Sequence, residues 1–111
     1  FRRVLFRSYY DSGINPYDDE GRECITRWAK IVMQQVANAG YTPGIYANYN
    51  YFSSILYTDE LSEMKWLAYY SKNDPYADYA PPQGPWICWQ YSSRGTVNGI
   101  EGNVDMNAWI Y

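Results

Sequence analysis

At 111 residues with 47% apolar composition, the chain is one domain at most and holds enough apolar side chains for a core, which excludes a disordered chain. The formal net charge is −3, no apolar run is long enough to span a bilayer, and two cysteines, Cys24 and Cys88, are too few for a disulfide framework and lie outside metal-ligand spacing. With no histidine, imidazole acid/base chemistry and Ser-His-Asp triads are excluded, and carboxylates are left as the candidates for proton transfer; the 14 Tyr and 5 Trp suit recognition surfaces as well as cores.

Taken in chain order, residues 1–8 stand apart. Phe1-Arg2-Arg3-Val4-Leu5-Phe6-Arg7-Ser8 is the in-frame translation of TTCAGACGTGTGCTCTTCCGATCT, the end of a common sequencing adapter. The expectation is a non-native segment at 1–8, where adapter sequence stands in a truncated gene, followed by a partial domain at 9–111. Without its three arginines, six basic residues face twelve acidic ones. That balance argues against a nucleic-acid partner, whose phosphates call for Lys and Arg.

Tyr9 to Gly21 is polar and turn-rich and reads as a loop. A helix follows. Ile25, Trp28, Ala29, Val32, Val36 and Ala39 recur at helical spacing, with Arg27, Lys30, Gln34, Gln35 and Asn38 opposite. Asp18, Asp19, Glu20 and Glu23 gather at its positive end, a solvated, dipole-favoured entry. Gly40 is placed just past the C-cap and Pro43 blocks continuation.

Three aromatic-rich apolar runs come next: Gly44-Ile45-Tyr46-Ala47, Trp66 to Tyr70, and Trp86 to Tyr91. They do not alternate cleanly and read as strands buried on both faces. A short helix is expected over Tyr51 to Tyr57, a turn at Asp59-Glu60-Leu61, a proline-rich loop over Lys72 to Pro85 and a final strand within Asn103 to Trp109. A helix feeding serial buried strands predicts a parallel α/β architecture. A full β/α barrel needs roughly 200 residues or more, so the expectation is about half of one.

The stretches "AGYTPGIYANYNYF", "KWLAYY", "WICWQYSS" and "GNVDMN", in that order and spacing, resemble glycoside hydrolase family 25, the lysozymes that act as N-acetylmuramidases. The resemblance runs from about Arg22 to Trp109. It implies the C-terminal half of a (β/α)8 barrel, with Gly44 to Asn48 as the fifth strand, Trp66 to Tyr70 the sixth, Trp86 to Tyr91 the seventh and Val104 to Asn107 the eighth. It further implies a secreted or cell-wall-associated monomer, or a phage endolysin, whose partner is the peptidoglycan glycan strand, with no cofactor, no metal and no membrane partner. The family's Asp-x-Glu acid pair is not found: Asp11 is followed by Gly13, and Asp18-Asp19-Glu20 has no strand before it. Asp105 in "VDMN" matches the last-strand acid and is the candidate catalytic residue, an auxiliary carboxylate beside the sugar. Glycoside hydrolysis also needs a protonated carboxyl for the leaving oxygen, which Asp105 alone cannot supply.

The candidate substrate-binding residues are Tyr46, Asn48, Tyr69, Gln90 and Tyr91, all near strand ends that open toward the site in a barrel. Each has a plainer reading. Tyr46, Tyr69 and Tyr91 could pack, Asn48 and Gln90 could be hydrogen-bonding scaffold, and Asp105 could be a solvated strand-end carboxylate. Trp28, Trp66 and Trp86 are expected in the core, and Cys24 and Cys88 as buried free thiols. A carbohydrate-binding domain of the cell wall without hydrolysis is the alternative function, because aromatic faces stack on sugar rings.

Overall fold

The computed structural model describes residues 13–72 and 80–110. The adapter reading of residues 1–8, and positions 73–79 of the loop expected over Lys72 to Pro85, lie outside the described residues.

Helix α1 spans Asp19–Asn38. Asp18 caps it: the carboxylate accepts from the Gly21 amide at 2.7 Å, satisfying a donor that the first turn leaves open. Gly21 is the residue the entry requires, since a Cβ there would stand 1.7 Å from the Asn15 carbonyl oxygen. At the other end Ala39 is the C-cap and Gly40 adopts φ 86°, the left-handed conformation expected of it. The buried stripe is Gly21, Ile25, Thr26, Ala29 and Met33. It swings away from the expected one at the C-terminal end: Val36 is half-buried and Ala39 exposed, while Met33 turns inward.

A four-stranded sheet follows, in the order β1-β2-β3-β4. Strand β1 is Gly44–Asn48, β2 Met64–Ala68, β3 Cys88–Gly95 and β4 Val104–Trp109. Between β1 and β2 lie a π-helical turn, Tyr51–Ile55, and a 3-10 turn, Thr58–Glu60, close to the expected helix and turn. Strands β1, β2 and β3 run parallel. Strand β4 runs antiparallel to β3, which corrects the all-parallel expectation. Only residues 96–103 join the two, too few for a crossover that needs a dozen or more, and Gly99 and Gly102 turn the chain with positive φ.

Two strand boundaries also differ from expectation. β2 begins at Met64, opposite Gly44, and stops at Ala68, opposite Asn48, where β1 ends. β3 begins only at Cys88, leaving Trp86 and Ile87 ahead of it, and continues to Gly95 because β4 gives it a partner beyond Tyr91.

One face of the sheet packs on α1 and the π-helical turn. Ile25, Ala29, Met33, Ile45, Phe52, Ile55, Leu56, Leu61 and Leu67 form the core, with Trp28 and Trp86 half-buried against it. Arg22 ties the helix to the turn, with Nε and Nη2 reaching the Ile55 and Leu56 carbonyls at 3.3 and 3.4 Å and the guanidinium over the Tyr57 ring at 4.2 Å. Thr26 is buried because its hydroxyl accepts from the Tyr57 amide at 3.0 Å. The opposite face is not covered in the same way: Tyr46 and Trp66 are half-buried and Asn48 is exposed. The expectation of strands buried on both faces is therefore corrected for β1 and β2, while β3 meets it, with Cys88, Trp89 and Gln90 all buried. Cys88 is buried and Cys24 half-buried, both as free thiols.

Candidate functional site

Strand parity and register decide which side chains meet. On the face away from α1 run two cross-strand rows, Tyr46–Trp66–Cys88–Trp109 and, one step nearer the C-terminal ends of the parallel strands, Asn48–Ala68–Gln90–Asn107. Tyr46 and Trp66 stack edge to face with ring centroids 5.0 Å apart. The Trp66 indole N–H donates to Asn107 Oδ1 at 2.9 Å. Trp66 thus lies outside the core where the sequence put it, because its parity is that of Tyr46 and not of Leu67.

Gln90 is the centre of this face. It is 3% exposed, and its carboxamide oxygen accepts hydrogen bonds from the hydroxyls of both Tyr46 and Tyr70, each at 2.5 Å. A buried carboxamide oxygen needs such partners to offset its desolvation. Nothing in the sequence marked Tyr70 or Asn107. Their signal was parity: counted from β2 and β4 as observed, both side chains fall on the Gln90 face.

Asp105 belongs to the same face. In β4 the exposed positions are Asp105, Asn107 and Trp109, alternating with half-buried Val104, Met106 and Ala108. Since β4 is antiparallel, its beginning lies where β1, β2 and β3 end. Asp105 therefore stands at the mouth of the sheet with Asn48 and Tyr70. Two bulges in β3 set its neighbours: Tyr91 is the extra residue between the Gln90–Asn107 and Ser92–Met106 pairs, and Ser93 and Arg94 together oppose Asp105.

Tyr69 and Tyr91 are not brought into this network. The Tyr69 ring packs against the core on the helix side, 5.7 Å from Tyr49 edge to face, and its carbonyl accepts from the Trp89 indole at 2.8 Å. Tyr91 lies 5.4 Å from Trp89, ring to ring. Asn48 also has a local duty: Oδ1 accepts from the Tyr51 amide at 3.0 Å and anchors the π-helical turn.

At the opposite end of the sheet Lys65 is buried on the helix side. Its ammonium donates to the carbonyls of Leu61 and Glu63, and burial holds its pKa below the ordinary lysine value. Burial likewise pushes the Cys88 thiol up, so it is a poor thiolate. Among the described residues no helix is long and apolar enough to cross a membrane.

The family model of Glycosyl hydrolases family 25 matches residues 15–100. Over 92 residues the chain is 33% identical to the uncharacterised protein YegX of Escherichia coli O157:H7 and of Escherichia coli strain K12. The alignment takes in 81% of this chain and 30% of YegX, so the chain spans under a third of the relatives it matches. The crystal structure of the CTP1L endolysin superposes with a TM-score of 0.61 at 23% identity, over 78% of this chain and 30% of that one. At that identity the likeness speaks to fold, and the mixed α/β sheet is of the same kind. With the family match covering most of its length, the chain belongs to glycosyl hydrolase family 25.

Proposed function

We propose that these residues form part of a lysozyme-type peptidoglycan hydrolase that cleaves the β-1,4 bond between N-acetylmuramic acid and N-acetylglucosamine. The single observation that carries this reading is the family match over residues 15–100. In this proposal the sheet is the C-terminal half of a (β/α)8 barrel, and its uncovered face is the barrel interior. The mouth at Asn48, Tyr70 and Asp105 is then the end where barrel enzymes hold their substrates. A secreted or cell-wall-associated monomer acting on the glycan strand is part of the same reading, in keeping with an endolysin among the structural neighbours.

Asp105 acts as an auxiliary carboxylate turned toward the sugar, orienting or polarising the reacting acetamido group. Tyr46 and Asn48 line the glycan from the sheet, Gln90 stands behind Tyr46 and Tyr70 and holds their hydroxyls, and Tyr91 shapes the mouth from its rim, while Tyr69 packs on the helix side. The proton for the leaving oxygen comes from a Glu in the part of the enzyme that these residues do not include. The chain alone is accordingly inactive.

The test is digestion of purified cell wall by the full-length protein, followed by reduction and identification of the new reducing ends. N-acetylmuramic acid at those ends supports the proposal, and N-acetylglucosamine there overturns the bond assignment. Retention on cell wall without any new reducing end establishes the carbohydrate-binding alternative, which the aromatic face of Tyr46, Trp66 and Tyr70 also suits.

A further inference from the structure

We propose that Gln90 is a positioning residue that sets the hydrogen-bonding polarity of the mouth, and that this polarity selects a ligand edge rich in donors. The inference rests on the carbohydrate reading above and deepens it. A carboxamide oxygen has lone pairs and no proton, so both phenols held 2.5 Å from it, Tyr46 and Tyr70, must donate. With those protons committed to Gln90, what the two phenolic oxygens offer a ligand is acceptor capacity. Gln90 itself is 3% exposed, and it acts through its neighbours, while Tyr70 is 39% exposed and stands at the end of β2. The complementary ligand presents O–H and N–H groups side by side. An N-acetylated pyranose does so through its ring hydroxyls and acetamido N–H, whereas an anionic or acceptor-only edge does not.

The shared acceptor makes a specific prediction. Two donors on one oxygen compete, so removing one strengthens the other. The full-length protein is labelled with [13Cζ]tyrosine, and the two resonances are assigned through Tyr46→Phe and Tyr70→Phe. Each of these variants is expected to shift the remaining partner's resonance while Tyr41, 72% exposed, stays in place. Gln90→Glu keeps an acceptor oxygen whose charge strengthens both hydrogen bonds and shifts both resonances together in one direction, whereas Gln90→Met keeps volume but no strong acceptor and shifts both together in the other. Binding of chitotetraose should weaken about tenfold in Gln90→Met and stay within a few-fold in Gln90→Glu. A packing role reverses that order, with Met tolerated and Glu not, and overturns the proposal. Resonances of Tyr46 and Tyr70 that respond independently also overturn it, and this result needs no Gln90 variant to fold. Coupled resonances in a wild-type protein that does not bind chitotetraose overturn the donor-edge selectivity and count against the carbohydrate reading, leaving only the shared hydrogen bond.

Discussion

Asp105 and Lys65 show how differently two charged side chains are used on one sheet. Asp105 is exposed at the mouth, in register with Ser93 and Arg94, and folding does not depend on burying it. In the full-length enzyme, Asp105→Asn keeps the shape and removes the charge. Turnover is expected to fall by roughly two to three powers of ten while the unfolding midpoint stays put, the pattern of lost transition-state electrostatics. Turnover within a few-fold of wild type would take Asp105 out of the site. Lys65 is the opposite case, buried with its pKa lowered chiefly by desolvation and partly restored by Glu63 and Asp59. Between that lowered value and the ordinary 10.5 the unfolded chain holds the extra proton, so stability rises with pH across this window. Below the window both states are charged and the penalty is constant. Urea midpoints of wild type and Lys65→Met, taken from neutral pH up to 10.5, should therefore differ by an amount that shifts in favour of wild type as pH climbs. A pH-independent difference would show that Lys65 is not desolvated as the structure has it.

At the scale of elements, α1 is held by its entry and by its buried stripe, and the two can be separated. Asp18→Ala removes the acceptor of the Gly21 amide and should cost about 1 kcal/mol, the usual value of an N-cap. Ile25→Ala removes a fully buried side chain from the centre of the core and should cost about 2–5 kcal/mol, including the cavity left behind. Chemical denaturation of the two variants in the full-length protein checks both numbers. Equal losses would mean that α1 is anchored as much by its N-terminal cap as by the packing of Ile25 in the core. The surface pair Lys30–Glu60, 3.5 Å apart and about half exposed on each side, adds little to this balance.

At the scale of the whole molecule, among the described residues the sheet order leaves β1 and β4 as its two edges, and the face carrying Tyr46, Trp66 and Trp109 has no helix packed on it. Unpaired strand edges beside apolar side chains invite association. Sedimentation of the isolated 111-residue chain is expected to show concentration-dependent self-association, and the same sample should leave cell-wall turbidity unchanged. A monodisperse chain that clears cell walls would contradict both the proposed half-barrel and the need for an acid outside it.

Much of this was legible in the sequence. The α1 periodicity, its acidic entry, Gly40 past its end and the four short strands follow from local chemistry, because caps, prolines and glycines act on their neighbours. Four ordered stretches carried the family. The sheet's outer face was not legible. Whether Tyr69 or Tyr70 joins Gln90 depends on which alternate residues of β2 turn toward α1, a one-residue question that reverses a side chain's face. The position of Asp105 at the mouth depends on β4 running antiparallel, and its neighbours depend on two bulges in β3. Those are matters of pairing between residues far apart in the chain. Composition and periodicity fixed which residues could bury themselves, and only the register of one strand against the next decided which of them meet.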